Sequence, residues 1–224
     1  MVLAAGRGAR LDTAAPKPLV EFRGRPLVDW ALDAARASGC APVLLVVGHA
    51  GDAVAARAPA GVRVVAAPDW ATGISASLRA GLAALGPATE VTGVCVGLAD
   101  QPRVGAEAYR RLVAASDGTA LVVATYGGHR GNPVLVPRTH WAAAAALTGD
   151  EGARRLMGRV PVVEVDCTGT GDPTDVDTLG DLAALDAASP AVRPVMPPAD
   201  PPANPPANPP ANPPANPPVT ETPS

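Results

Sequence analysis

Five short apolar runs, rich in β-branched residues, recur along the chain: VLLVVG from Val43, VRVV from Val62, GVCVGL from Gly93, ALVVATY from Ala120 and PVVEV from Pro161. Each is nearly continuous rather than alternating with polar residues, the pattern of a strand buried on both faces. Between them lie alanine-rich segments of helical period. In the first, Pro26 takes a favoured opening position, Leu27, Trp30, Ala31 and Ala34 form one apolar stripe, and Gly39 supplies the stop. Strand and helix in alternation predict an α/β layered fold with a mostly parallel sheet and helices on both faces. In such sheets ligands bind beyond the carboxyl ends of strands, so chemistry is expected just after each apolar run.

Proline divides the chain. Of its 27 prolines, 15 fall in residues 190–224, where PPAD occurs once and PPAN four times. Paired prolines every four residues without apolar periodicity predict an extended, disordered tail, so residues 1–189 are expected to form one globular domain and 190–224 a separate appendage. A formal net charge of −3 and no run of basic residues argue against nucleic acid. No stretch approaches a membrane span, and the opening MVLAAGRGAR reverses the order of a signal peptide, which predicts no membrane association and a cytoplasmic location. Cys40, Cys95 and Cys167 are odd in number and scattered, and read as small buried side chains.

The polar residues that follow the strands carry the functional signal. In AAGRGARL, Gly6 and Gly8 permit a tight turn that points several N–H groups at one spot, while Arg7 and Arg10 add charge, a cradle suited to a triphosphate. It lacks the GKS or GKT of a Walker loop and the third glycine of a dinucleotide fingerprint. Lys17, in APKPLVEF, is the only lysine among 18 basic residues; a compact ammonium on a flexible stem suits reaching a phosphate. Asp100, in LADQP, is a carboxylate at the end of a buried strand, placed either to hold a divalent ion or to cap the next helix. The cluster DPTDVDTLGDL offers Asp172, Asp175, Asp177 and Asp181, among which a helix cap and a second metal ligand are both expected. Ser75, Ser77 and Arg79 stand at a helix entrance, where hydroxyls either read a base edge or cap the helix. GGHRGNPVLV, leading into GDEGARRLM, either places Asn132, Asp150 and Arg154 to contact an acceptor or, the reading the residues alone favour, is a glycine-rich hairpin followed by a capped helix. His49, His129 and His140 lack metal spacing and read as structural.

Taken in order, LAAGRGARL, PKPL, TGISASLRAGL, LADQP, GNPVLV, GDEGAR and DVDT resemble the MobA-like nucleotidyltransferase family, within it the molybdenum cofactor cytidylyltransferase group. The resemblance covers residues 1–184 and leaves the tail outside. It implies a Rossmann-like nucleotidyltransferase fold and a Mg2+-dependent reaction in which a phosphorylated acceptor attacks the α-phosphorus of a nucleoside triphosphate and pyrophosphate leaves. Carried onto this sequence, the loop Ala5, Gly6, Arg7, Gly8 would hold phosphates, Arg10 and Lys17 would stabilise charge on the phosphoryl oxygens, and Asp100 and Asp177 would bind the metal. Ser77 would face the base, and Asn132 and GDEGAR would lie near the acceptor. The LAAG start resembles cytidylyltransferases, which points to CTP as donor and molybdopterin as acceptor, with a molybdoenzyme or maturation factor as a further partner. Other readings are a GTP-using or sugar- or polyol-phosphate transferase, and a non-catalytic nucleotide-binding accessory protein.

Overall fold

The computed structural model of the chain describes residues 1–8, 13 and 15–187. After β1 (Val2–Ala4) come a 3-10 turn at Lys17–Leu19, an antiparallel ribbon of β2 (Glu21–Phe22) and β3 (Arg25–Pro26), and α1 (Leu27–Ala37). β4 (Val43–Val47), α2 (Gly51–Ala55), β5 (Val62–Ala66), α3 (Ile74–Leu85) and β6 (Gly93–Leu98) follow. The remainder is α4 (Ala106–Ala114), β7 (Leu121–Tyr126), β8 (His129–Pro137), α5 (Trp141–Ala145), β9 (Val162–Asp166) and α6 (Leu179–Ala187).

Seven strands make one sheet in the order β5-β4-β1-β6-β8-β7-β9. β8 runs antiparallel to β6 and β7, and the other pairs are parallel. This is the mostly parallel α/β sheet expected from the sequence. Because side chains alternate across a strand, successive residues of β1 and β4 feed opposite faces. Val2, Ala4, Leu45 and Val47 pack beneath Val28, Ala31 and Leu32 of α1. Leu3, Leu44 and Val46 pack beneath Leu78, Leu82 and Leu85 of α3. Both faces are dry, which is why these strands read as continuous apolar runs. Farther along, Ala108, Tyr109 and Leu112 of α4 cover Cys95, Val122 and Leu135.

Two runs depart from expectation. VRVV and PVVEV were expected to be buried on both faces, yet β5 and β9 are the sheet's two edge strands, and each has exposed residues, among them Val64 and Val163. An edge strand has a neighbour on one side only, and apolar content does not reveal position in the sheet. At α1, Pro26 is the residue preceding the first turn rather than within it, Leu27 and Ala31 are buried, and Trp30 and Ala34 are only partly covered. Gly39 adopts φ +84° just past the helix, as a stop signal requires. GGHRGNPVLV does form the expected hairpin, with Tyr126 opposite His129 across Gly127 and Gly128. The proline-rich segment from residue 190 and Arg10 lie outside the described residues.

Candidate active site

The turns after β1, β5 and β6 converge at the carboxyl ends of their strands. Asp100, two residues beyond β6, and Asp177, just ahead of α6, both accept hydrogen bonds from the Lys17 ammonium, at 2.6 Å each. These contacts span 83 and 160 residues of sequence. Burial works to lower the Lys17 pKa, but the two carboxylates outweigh it and hold the group above its ordinary value. Lys17 reaches this place because Pro16 directs the chain into the 3-10 turn and because residue 8 is glycine: at φ +64°, a Cβ there would collide with the Lys17 side chain.

The carboxylate pair fits a divalent cation. Both carboxylates already face one positive charge, and the second Asp100 oxygen, Oδ1, is buried without a hydrogen-bond partner among the described residues. Two protein carboxylates, with water and phosphate oxygens completing the shell, is the usual provision for magnesium. Among the described residues no cluster of three or more His, Cys, Asp or Glu side chains is arranged to hold a metal.

The neighbouring acids have other roles. Asp181 Oδ2 accepts the backbone N–H groups of Asp177 and Thr178, while the Asp181 N–H donates to Thr178 Oγ1. That is a capping box at the start of α6, so the cluster contains the expected cap and Asp181 is it. Asp172 accepts the Thr174 N–H and faces Arg103. Asp175 lies nearer the pair; burial, then the Asp100 charge, pushes its carboxyl above the ordinary range. Asp100 does not cap α4, which begins after Gly105 without a side-chain cap.

Two adjoining clefts share Leu3, Ile74, Leu98 and Asp150. The first, about 320 Å³, is lined by Ala5, Gly6, Arg7, Trp70, Ser77 and Asp100. The second, about 600 Å³, is lined by Asn132, Asp175 and the run from Asp150 to Arg155. The structure thus brings Ala5, Gly6, Arg7, Ser77 and Asp100 to one cavity, with Lys17 bonded to Asp100 at its edge. Asn132 belongs to the other, where its carbonyl accepts the Tyr126 hydroxyl at 3.0 Å. Gly8 lines neither and acts through Lys17.

Other expectations at the α3 entrance are revised. No side chain caps α3; Gly73 precedes it at φ +121°, pressed against the Gly149 backbone so closely that a Cβ would collide with it. The Ser75 N–H donates to the Gly149 carbonyl, and Ser75 Oγ is buried without a partner among the described residues. Arg79 ties α3 to the end of α5 through the Ala145 and Leu147 carbonyls. His49 packs against the Trp70 ring at 5.2 Å, and His140 Nε2 meets the Thr119 carbonyl.

Trp70 was missed. It lines the first cleft, and the Arg7 guanidinium sits 5.8 Å from its ring centre. The available signal was its rarity, one of three tryptophans, in a polar DWATG segment directly after a strand. Asp175 was named only within its cluster, since nothing local separates it from Asp172 or Asp181.

No helix among the described residues is long and apolar enough to cross a membrane. The chain is 34% identical over 190 residues to nicotine blue oxidoreductase of Paenarthrobacter nicotinovorans, covering 80% of this chain and 91% of that protein. The crystal structure of Rv0371c from Mycobacterium tuberculosis H37Rv superposes with a TM-score of 0.72 at 36% identity, over 84% of this chain and 96% of that one. A manganese complex of the same mycobacterial protein matches with a TM-score of 0.71 at 35% identity, over 84% and 97%. Residues 1–165 match the MobA-like NTP transferase domain, a span that includes every strand of the main sheet up to β9 together with Lys17 and Asp100, and on this extent of agreement the chain belongs to the MobA-like NTP transferase family, with a Rossmann-like nucleotidyltransferase fold.

Proposed function

We propose that this protein is a Mg2+-dependent cytidylyltransferase that transfers CMP from CTP to a phosphorylated acceptor such as molybdopterin and releases pyrophosphate. The observation that carries the reading is Lys17 held between Asp100 and Asp177, with Asp100 lining the smaller of two adjoining clefts. A pure binding module has no need of paired carboxylates beside a phosphate-reaching cation.

Asp100 and Asp177 would hold the metal, which supplies charge neutralisation to the phosphate oxygens. Lys17 then leaves the carboxylates and turns its ammonium to the α-phosphate, where Arg10 joins it. The backbone of Ala5, Gly6, Arg7 and Gly8 cradles the phosphates, Trp70 and Ser77 bound the base, and Asn132 and Arg154 orient the acceptor in the larger cleft. An acceptor phosphate oxygen attacks the α-phosphorus as the bond to the β-phosphate oxygen breaks. Such chemistry depends on positioning and electrostatics and needs no protein nucleophile. The LAAG start supports cytosine. Residues 1–189 are the catalytic unit of this reading, 190–224 are dispensable to it, and a cytoplasmic protein that hands product to a molybdoenzyme is its natural setting.

Incubating the protein with Mg2+ and each nucleoside triphosphate, with molybdopterin and a panel of sugar phosphates, and measuring pyrophosphate tests the reading. The expected result is release that requires CTP and one acceptor. Release with GTP or a sugar phosphate changes the substrates; tight nucleotide binding without release with any acceptor makes the protein an accessory. The identity to nicotine blue oxidoreductase favours a second reading, an oxidoreductase, whose distinguishing outcome is reduction of a substrate with no pyrophosphate formed.

A further inference from the structure

Cys40 and Cys95 lie at the amino-terminal end of the strands, away from Asp100. Cys95 is fixed within β6 and 7% exposed, whereas Cys40 sits on the loop between α1 and β4 and is only partly buried. The two pack together, and both line a cavity of about 330 Å³ whose wall includes Tyr109 and Leu135. Ser38 steadies the loop, donating its hydroxyl to the Ala35 carbonyl and accepting the Cys40 backbone N–H. The two thiols influence each other across this cavity, Cys95 lowering Cys40 and Cys40 raising Cys95.

We infer that Cys40 and Cys95 form a reactive dithiol, a modification site at which a peroxide oxidant joins the α1–β4 loop to β6 through a disulfide. The nucleophile and the resolving thiol are separated by environment. The neighbouring Cys95 thiol, helped by Ser38, outweighs burial and lowers Cys40 to about 6, which favours the thiolate at neutral pH. Cys95, buried and facing the Cys40 thiol, is pushed up and stays protonated. The Cys40 thiolate attacks hydrogen peroxide, forming a sulfenic acid and hydroxide, which takes up a proton to become water. The Cys95 sulfur then displaces the sulfenic hydroxyl, which leaves as a second water with the Cys95 proton. In sum, two thiols and one peroxide give one disulfide and two waters. Closure brings the sulfurs to about 2.05 Å, with Cys95 held in β6 by strands paired on both sides and Cys40 on the connecting loop.

Cys167 is an internal control, since it is 0% exposed, burial pushes its thiol up, and it lines none of this cavity. The full chain is treated at pH 7 with a slight excess of hydrogen peroxide, and free thiols and linked peptides are mapped by mass spectrometry. The expected result is a Cys40–Cys95 disulfide with Cys167 still free, Cys40 being consumed at least about tenfold faster than Cys167. In Cys95→Ser the reaction stops at a Cys40 sulfenic acid that dimedone captures, and in Cys40→Ser no disulfide forms. Circular dichroism of both variants checks that the fold persists. Equal oxidation of Cys167, a wild-type chain that accumulates sulfenic acid without a disulfide, or no reaction at Cys40 would each overturn the inference.

Discussion

On one side of the sheet, β5, β4, β1 and β6 all run parallel; on the other, β8 turns back between β6 and β7 before parallel pairing resumes at β9. On the parallel side, strands end at the same rim and short turns bring Ala5, Gly6, Arg7, Trp70 and Asp100 to the smaller cleft. On the other side, the larger cleft is assembled from a hairpin residue, Asn132, from the loop around Asp150 and Arg154, and from Asp175 beyond β9. Parallel topology concentrates backbone turns, which suits a repeating phosphate chain. The antiparallel insertion presents side chains from distant segments, the surface to which the proposed function assigns the acceptor.

Substitutions on each side of the sheet test this division of labour. The largest losses belong to the junction: Lys17→Ala or Asp100→Ala lowers kcat about 10²- to 10³-fold for every acceptor, because charge on the transferring phosphoryl group loses its stabilisation. A change confined to KM would remove both residues from the chemical step. Next, Trp70→Ala raises the nucleotide KM about tenfold with the acceptor KM unmoved, and Arg154→Ala does the reverse by a comparable factor. If either variant moved both constants equally, the clefts would be one site rather than two.

A smaller effect belongs to Asp181, three residues after Thr178. Asp181→Ala breaks the capping box of α6 and costs about 1 kcal/mol in chemical denaturation, while kcat stays within about twofold. The smallest is pH-dependent and lies at the entrance to β7. Asp117 accepts the Ala120 and Thr119 N–H groups, which lower its carboxyl to about 2. Its folded pKa is depressed, so its stabilising contribution is present above about 3.9, the unfolded value, and is lost as pH falls through about 2. The Tm deficit of Asp117→Ala is therefore constant at pH 5 to 7 and vanishes toward pH 2; a deficit that persisted there would assign the effect to packing.

Much of the fold was legible because its signals are local. Five apolar runs of strand length, a helix stripe ending at Gly39 and a two-glycine hairpin are each set by neighbouring residues. The same holds for Lys17 and Asp100, one marked by rarity and the other by its place after a strand. Legibility failed where a role depends on distant partners. Arg79 was read as part of an entrance and instead closes the end of α5; nothing in ISASLRAGL announces the Ala145 carbonyl. Edge and centre were confused for β5 and β9, because a valine run has the same composition in either place.

The alternation of strand and helix, the glycines after the first strand and the charged residues that follow the strands are set locally, since backbone preference and hydrophobic period act over a few residues. It is the folded arrangement that joins residues 17, 100 and 177 in two ion pairs, makes Asp181 a helix cap while Asp177 bonds Lys17, and sets Cys40 and Cys95 around one cavity. Those outcomes depend on the order of strands in the sheet, which is chosen by burial summed over the whole domain rather than by any one segment.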